Sequence, residues 1–161
     1  MIILGLDPGT TRIGYGLVQR GSPPALLGCG ILNVQGAERG ARLGEAAAHL
    51  RNLLMRHKPS LVAIEKLFFV QNQKTGLAVS EMRGALLLEL NNARVPVVEY
   101  TPKEVKKATT GDGGADKRAV AKMVKATLHV DKIPGPDDVT DALAIALAAL
   151  YDIRLREGYR V

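Results

Sequence analysis

The 161-residue sequence predicts an α/β fold, a five-stranded mixed β-sheet flanked by α-helices. Three observations point that way. The chain opens with three apolar segments separated by turns too short for crossovers, the mark of an antiparallel meander. Helical periodicity then sets in and alternates with two further short apolar runs, as in strands joined by helix crossovers. The length suffices for one such core and leaves little room for a second, so a single domain over 1–161 is expected, with no repeat, low-complexity stretch or linker.

In order, IILGLD (2–7) is the first strand, ended by the Pro8-Gly9 turn. IGYGLVQ (13–19) and LLGCGILNV (26–34) follow, joined by Gly21-Ser22-Pro23-Pro24. From Glu38 to Lys58 the positions Leu43, Ala46, Ala47, Leu50, Leu53 and Leu54 keep helical spacing, and Pro59 closes the run. One face of that helix should pack on the sheet. LVAIE (61–65) is a short buried strand, expected to run parallel to its neighbour because a helix precedes it. A second helix spans Lys74 to Arg94, VPVVEY (95–100) is the fifth strand, and helices follow near 102–109, 116–128 and 137–156.

Charge narrows the partners. Twenty-two Lys and Arg against 16 Asp and Glu give a net charge of +6, which favours an anionic partner, nucleic acid or a membrane surface. No apolar run reaches the roughly 18 residues of a membrane span, so nucleic acid leads and no membrane partner is expected. Cys29 has no second cysteine to pair with, and the first residues lack a charged segment with a cleavage site, so a cytoplasmic location is expected. His49, His57 and His129 have no partner at metal-ligand spacing and read, like Cys29, as surface or packing residues.

The acidic residues carry the chemistry. Ligand sites in open α/β sheets form beyond the carboxyl ends of strands. The first strand ends at Asp7 and the LVAIE strand at Glu65; if the two are neighbours, their carboxylates stand about one strand spacing, ~5 Å, apart. Two like charges that close call for a cation, although each residue alone is an ordinary turn or strand-end acid. In GPDDVTDALAIALAALY (135–151), a helix starting near an Asp137 N-cap puts Asp138 and Asp141 on one face of its first turn. Such acids also follow from the helix dipole alone. The helix behind them is apolar almost all round, however, so its burial should carry both aspartates inward. Four carboxylates with no basic residue in their own motifs, and no His or Cys, suit a hard cation such as Mg²⁺ or Mn²⁺ better than Zn²⁺.

Taken together, LGLDPGTTRIGYG, the AIE of 63–65 followed by an aromatic, and DxxDALAIA at 138–146 resemble the RuvC family of Holliday-junction resolvases, in order and spacing along the whole chain. The resemblance implies an RNase H-like fold and carboxylates Asp7, Glu65, Asp138 and Asp141 as both catalytic and metal-binding residues. It implies two Mg²⁺ ions per site, with Mn²⁺ as a substitute, one activating water for in-line attack and the other stabilising the departing 3′ oxygen. The products would be 5′-phosphate and 3′-hydroxyl ends, from symmetric paired nicking of a four-way DNA junction in recombination and repair. Partners implied are a second copy of the chain, as a homodimer, and the RuvA and RuvB branch-migration complex.

For DNA contacts, the segment 101–125 carries Lys103, Lys106, Lys107, Lys117, Arg118, Lys122 and Lys125 against Glu104, Asp112 and Asp116. Each lysine is individually compatible with a solvated helix face. Lys106 and Lys117 match basic positions at which the family is similar and contacts DNA, and Arg118 adjoins them. The TTGDGGADK loop between the two helices offers backbone N–H groups that could also meet phosphate. Phe68 matches the family's base-stacking aromatic, Phe69 being the other phenylalanine. The helix from 74 to 94 carries more apolar faces than one sheet contact needs, so its surplus face is the expected dimer interface, burial within its own domain being the alternative.

Three rivals share parts of this pattern. DPGTT and GDGG resemble phosphate loops of actin-like ATPases and sugar kinases, but those proteins need two such domains. A YqgF-like RNA-processing nuclease shares the DPG-RIG opening, yet AIE and DxxDALAIA look more like the resolvase. A non-catalytic junction binder is disfavoured because four carboxylates would repel phosphate unless a metal offsets them.

Overall fold

The computed structural model describes residues 1–67 and 73–158. β1 (Ile2–Pro8), β2 (Arg12–Gln19) and β3 (Ala25–Asn33) form the expected meander. Helix α1 (Arg39–His57) leads to β4 (Leu61–Glu65), α2 (Gln73–Asn92) leads to β5 (Val97–Tyr100), and α3 (Pro102–Thr110), α4 (Lys117–Leu128) and α5 (Asp137–Gly158) follow. The sheet order is β3-β2-β1-β4-β5. β1 pairs antiparallel with β2 and parallel with β4, and β4 pairs parallel with β5.

The ends of several elements have local causes. Lys58 adopts the left-handed conformation (φ 47°) and its N–H returns to the Leu54 carbonyl at 2.8 Å, stopping α1 before Pro59. β5 starts at Val97 and not at Val95, because Val95 donates back to the Leu90 carbonyl at the end of α2. A capping box opens α3: Glu104 N–H donates to the Thr101 hydroxyl (3.2 Å) and Thr101 N–H to the Glu104 carboxylate (2.7 Å). Asp116 accepts from Ala119 N–H at 2.7 Å and so caps α4. Asp137 is already the first residue of α5, in place of the N-cap expected for it.

Strand alternation separates two cores. On one face Leu4, Leu6, Val62 and Ile64 pack with Ala46, Leu50 and Leu54 of α1 and with Met82, Leu86 and Leu90 of α2. Two further links tie those helices together, a bidentate Arg51–Glu89 pair at 2.8 and 2.7 Å and an Arg39–Glu81 pair. On the other face Ile3 and Ala63 pack against α5, whose residues from Ala142 to Leu150 are all buried, together with Val105 of α3 and Val120 and Val124 of α4.

α5 lies close against the sheet, and two glycines permit it. A Cβ on Gly5 would stand 2.0 Å from the Ala142 carbonyl oxygen, and one on Gly14 2.0 Å from the Asp138 carbonyl oxygen. Any side chain at either strand position would therefore push the helix outward. This contact sets the height at which the first turn of α5 meets the ends of β1 and β2.

Candidate active site

The two-residue period of a strand decides where the acids go. Ile3 and Gly5 face α5, so Asp7 does too; Leu61 and Ala63 face α5, so Glu65 does too. The parallel register runs Ile3↔Leu61 through Leu6↔Ile64, which sets Asp7 and Glu65 at adjacent strand ends. α5, seated on Gly14, delivers Asp138 and Asp141 from its first turns. A cavity of about 260 Å³ results, walled by Asp7, Glu65, Asp141, Lys106 and Lys117, with Val105, Val120 and Ile145 as an apolar side.

The electrostatics of this cluster are those of crowded like charges. Burial first, then the charges of Glu65, Asp141 and Asp138, push the Asp7 carboxyl up from 3.8 to about 7, with Lys117 pulling the other way. Burial and Asp141 likewise raise Glu65, and burial raises Asp141 against the opposing pull of Lys117. The Lys117 ammonium lies 3.4 Å from Asp141 and 3.9 Å from Asp137, and Asp141 first of all raises its pKa.

Asp138 differs from the other three. Its carboxylate does not line the cavity and instead lies 3.5 Å from the guanidinium of Arg12. The expectation that no basic residue stands in the carboxylates' own motifs is thereby corrected, since Arg12 belongs to the DPGTTR segment that carries Asp7. Among the described residues, no three His, Cys, Asp or Glu side chains converge closely enough to grip one ion as they stand. Arg12 lies against Asp138 and Lys117 against Asp141. The donor set itself, carboxylate oxygens alone, matches a hard divalent cation. Such an ion would oppose both the burial and the repulsion that hold the proton on Asp7.

Two arginines went unmarked in the sequence. Arg12 is one; Arg83 of α2 is the other, donating from Nε to the Glu65 carbonyl at 3.1 Å while pairing with Glu99 of β5. Arg83 thus holds the backbone from which Glu65 projects. Neither had a spacing signal, because each works across elements far apart in the chain.

The expected DNA contacts separate. Lys106 is half-buried in the cavity wall, and Lys117 stands exposed beside it. Arg118 is exposed in the first turn of α4 and does not line the cavity. In the glycine loop two of the amides are taken up locally: Gly114 N–H donates to the Asp112 carboxylate at 2.8 Å and Asp112 N–H to the Thr110 hydroxyl at 3.1 Å. Phe68 and Phe69 lie outside the described residues. Among the described residues, no helix is long and apolar enough to cross a membrane.

Comparison with known proteins agrees with this geometry. The family model described as crossover junction endodeoxyribonuclease RuvC matches residues 3–149. A relative of that name from Moorella thermoacetica is 46% identical over 149 residues, covering 91% of this chain and 89% of the relative. Another, from Synechococcus sp. strain RCC307, is 43% identical over 156 residues, covering 94% and 99%. The Thermus thermophilus RuvC structure superposes with a TM-score of 0.87 at 35% identity, covering 97% of both chains. The same T. thermophilus protein in complex with Holliday junction substrate gives 0.86 at 32%, covering 96% of both. The yeast mitochondrial Holliday junction resolvase Ydc2 shares the fold at 12% identity, with a TM-score of 0.72. The sheet and helices are those of the RNase H-like resolvase fold, and the chain belongs to the RuvC family of crossover junction endodeoxyribonucleases.

Proposed function

We propose that this protein is a structure-specific DNA endonuclease that resolves four-way junctions in recombination and repair by paired, symmetric hydrolysis, leaving 5′-phosphate and 3′-hydroxyl ends. The observation that carries the reading is the meeting of Asp7, Glu65 and Asp141 in one cavity whose wall also holds Lys106 and Lys117. Asp7, Glu65, Asp138 and Asp141 serve as the catalytic carboxylates and the ligands of divalent ions, Mg²⁺ by preference and Mn²⁺ as a substitute. When bound, such ions supply Lewis-acid activation of water and stabilise the leaving 3′ oxygen. The chain's own residues do the rest. Lys106 and Lys117 orient the phosphate, Arg118 and Phe68 add contacts to the strand, and Val105, Val120 and Ile145 keep bulk water from one side of the cavity.

A four-way junction has two scissile phosphates related by a two-fold axis, and the chain offers one carboxylate cluster, so the working unit is a homodimer. On α2, Leu77 (57% exposed) and Leu88 (62% exposed) lie on one stripe with Ser80 and Gly84, both exposed. That stripe is the interface in this reading. The enzyme acts as one nuclease domain in the cytoplasm, downstream of the RuvA and RuvB branch-migration complex.

The test is a mobile synthetic junction with Mg²⁺. Paired nicks at symmetry-related positions are expected, and Asp7→Asn should abolish them while leaving junction binding intact or tighter, because one negative charge near the phosphates is gone. Cleavage undiminished in that variant would remove Asp7 from the site. Faster cleavage of a structured RNA than of the junction would favour the YqgF-like alternative.

A further inference from the structure

Arg12 opens β2 beside the carboxylate cluster. Among the described residues it is the arginine paired with one of the four acids; Arg39, Arg51 and Arg83 are each hydrogen-bonded to a glutamate elsewhere. Its hold on Asp138 is loose. The closest approach, 3.5 Å, is an ion-pair distance, and the Arg12 side chain is 56% exposed. Exposed pairs of this kind contribute little and exchange readily. A guanidinium carries five N–H donors in a planar fork that fits a phosphate bidentately, and among the described residues Asp138 is the one acid that Arg12 approaches. Asp138, for its part, is close enough for its charge to raise the Asp7 carboxyl, so the pair borders the cluster directly.

We propose that Arg12 is a phosphate-gripping residue for the scissile strand that rests on Asp138 in the free protein and passes to the DNA once a divalent ion takes that carboxylate. The idea rests on the nuclease reading above. Its consequence is linkage: ion binding frees Arg12 for phosphate, and phosphate frees Asp138 for the ion, so each raises the affinity of the other by the same factor. Lys117 has the corresponding pairing with Asp141, from α4 instead of β2.

The test uses the full chain and the variants Arg12→Gln, Arg12→Lys and Arg39→Gln. Calorimetric titration of DNA-free protein with Mn²⁺ should show Arg12→Gln binding about two- to five-fold tighter, the scale of one exposed ion pair. Arg12→Lys and Arg39→Gln should stay near the parent. Junction affinity is then measured across a salt series in EDTA and in Ca²⁺. In Ca²⁺, Arg12→Gln should bind more weakly, with a log K against log salt slope smaller by about 0.9; in EDTA it should match the parent. Unchanged ion affinity, or an equal loss of junction affinity in EDTA and in Ca²⁺, would overturn the exchange. Failure of the parent protein to nick a junction with Mg²⁺ would instead overturn the nuclease reading, so the two failures are distinguishable.

Discussion

Asp7 carries two burdens at once, burial and three acidic neighbours, and both act against its charge. In the folded protein it keeps its proton up to about pH 7, whereas in an unfolded chain it releases that proton near its ordinary value of 3.8. The unfolded state therefore binds fewer protons between those values, and stability falls as pH rises from about 4 to about 7, then levels off. Glu65 and Asp141, both raised, act with the same sign. In EDTA, Asp7→Asn is expected to melt a few degrees above the parent at pH 8, given about 2–4 °C per kcal/mol for a chain of this size. The difference should vanish below pH 4. Melting curves across pH 4–8 check this, and a variant that melts lower at pH 8 would contradict the repulsion inferred for the cluster. Divalent ions should stabilise the parent more at pH 8 than at pH 5.5, because protons compete for the same oxygens.

At the scale of elements, the contact of α5 with the sheet is what turns four separate acids into a cluster. Gly14→Ala places a Cβ against the Asp138 carbonyl, which backbone must move to relieve, at a cost of roughly 1–3 kcal/mol for overpacking. Displacement of that turn carries Asp138 and Asp141 with it, so cleavage should fall at least ten-fold while the protein remains folded. Gly28→Ala is the matched control. Its Cβ would meet only the Leu17 side chain, at an ordinary 3.9 Å, and should leave both melting and cleavage near parental values. Single-turnover cleavage beside thermal melting separates the two outcomes. Arg83 performs a similar office for β4, fastening the Glu65 carbonyl to α2 and β5 together.

At the scale of the whole molecule, charge and symmetry set how DNA is met. Lys106→Ala and Lys117→Ala should each weaken junction binding and lower the salt slope by about 0.9, the loss of one neutralised phosphate. Filter binding between 50 and 200 mM salt reads this directly, and a slope that does not change would place the lysine off the DNA. Leu88 is 62% exposed on α2. Leu88→Glu is expected to shift the protein to a monomer in sedimentation and to uncouple the two nicks, yielding singly cut junctions. A variant that remains dimeric would move the interface off this stripe.

Element order, the mixed sheet and the four acidic positions were legible in the chain because they rest on local patterns: turn residues, period-two strands, period-3.6 helices and acids at strand and helix ends. The alternation within IILGLD and LVAIE already dictates that Asp7 and Glu65 share a face once the strands are neighbours. Tertiary structure alone decided how closely α5 approaches, since that depends on glycines in two strands meeting backbone carbonyls some 130 residues later in the chain. It alone paired Arg12 with Asp138, Lys117 with Asp141 and Arg83 with the Glu65 carbonyl, and it bound the Asp112 and Gly114 amides within the glycine loop. Periodicity reports which face of an element is apolar, and carries no record of which distant charge comes to rest against it.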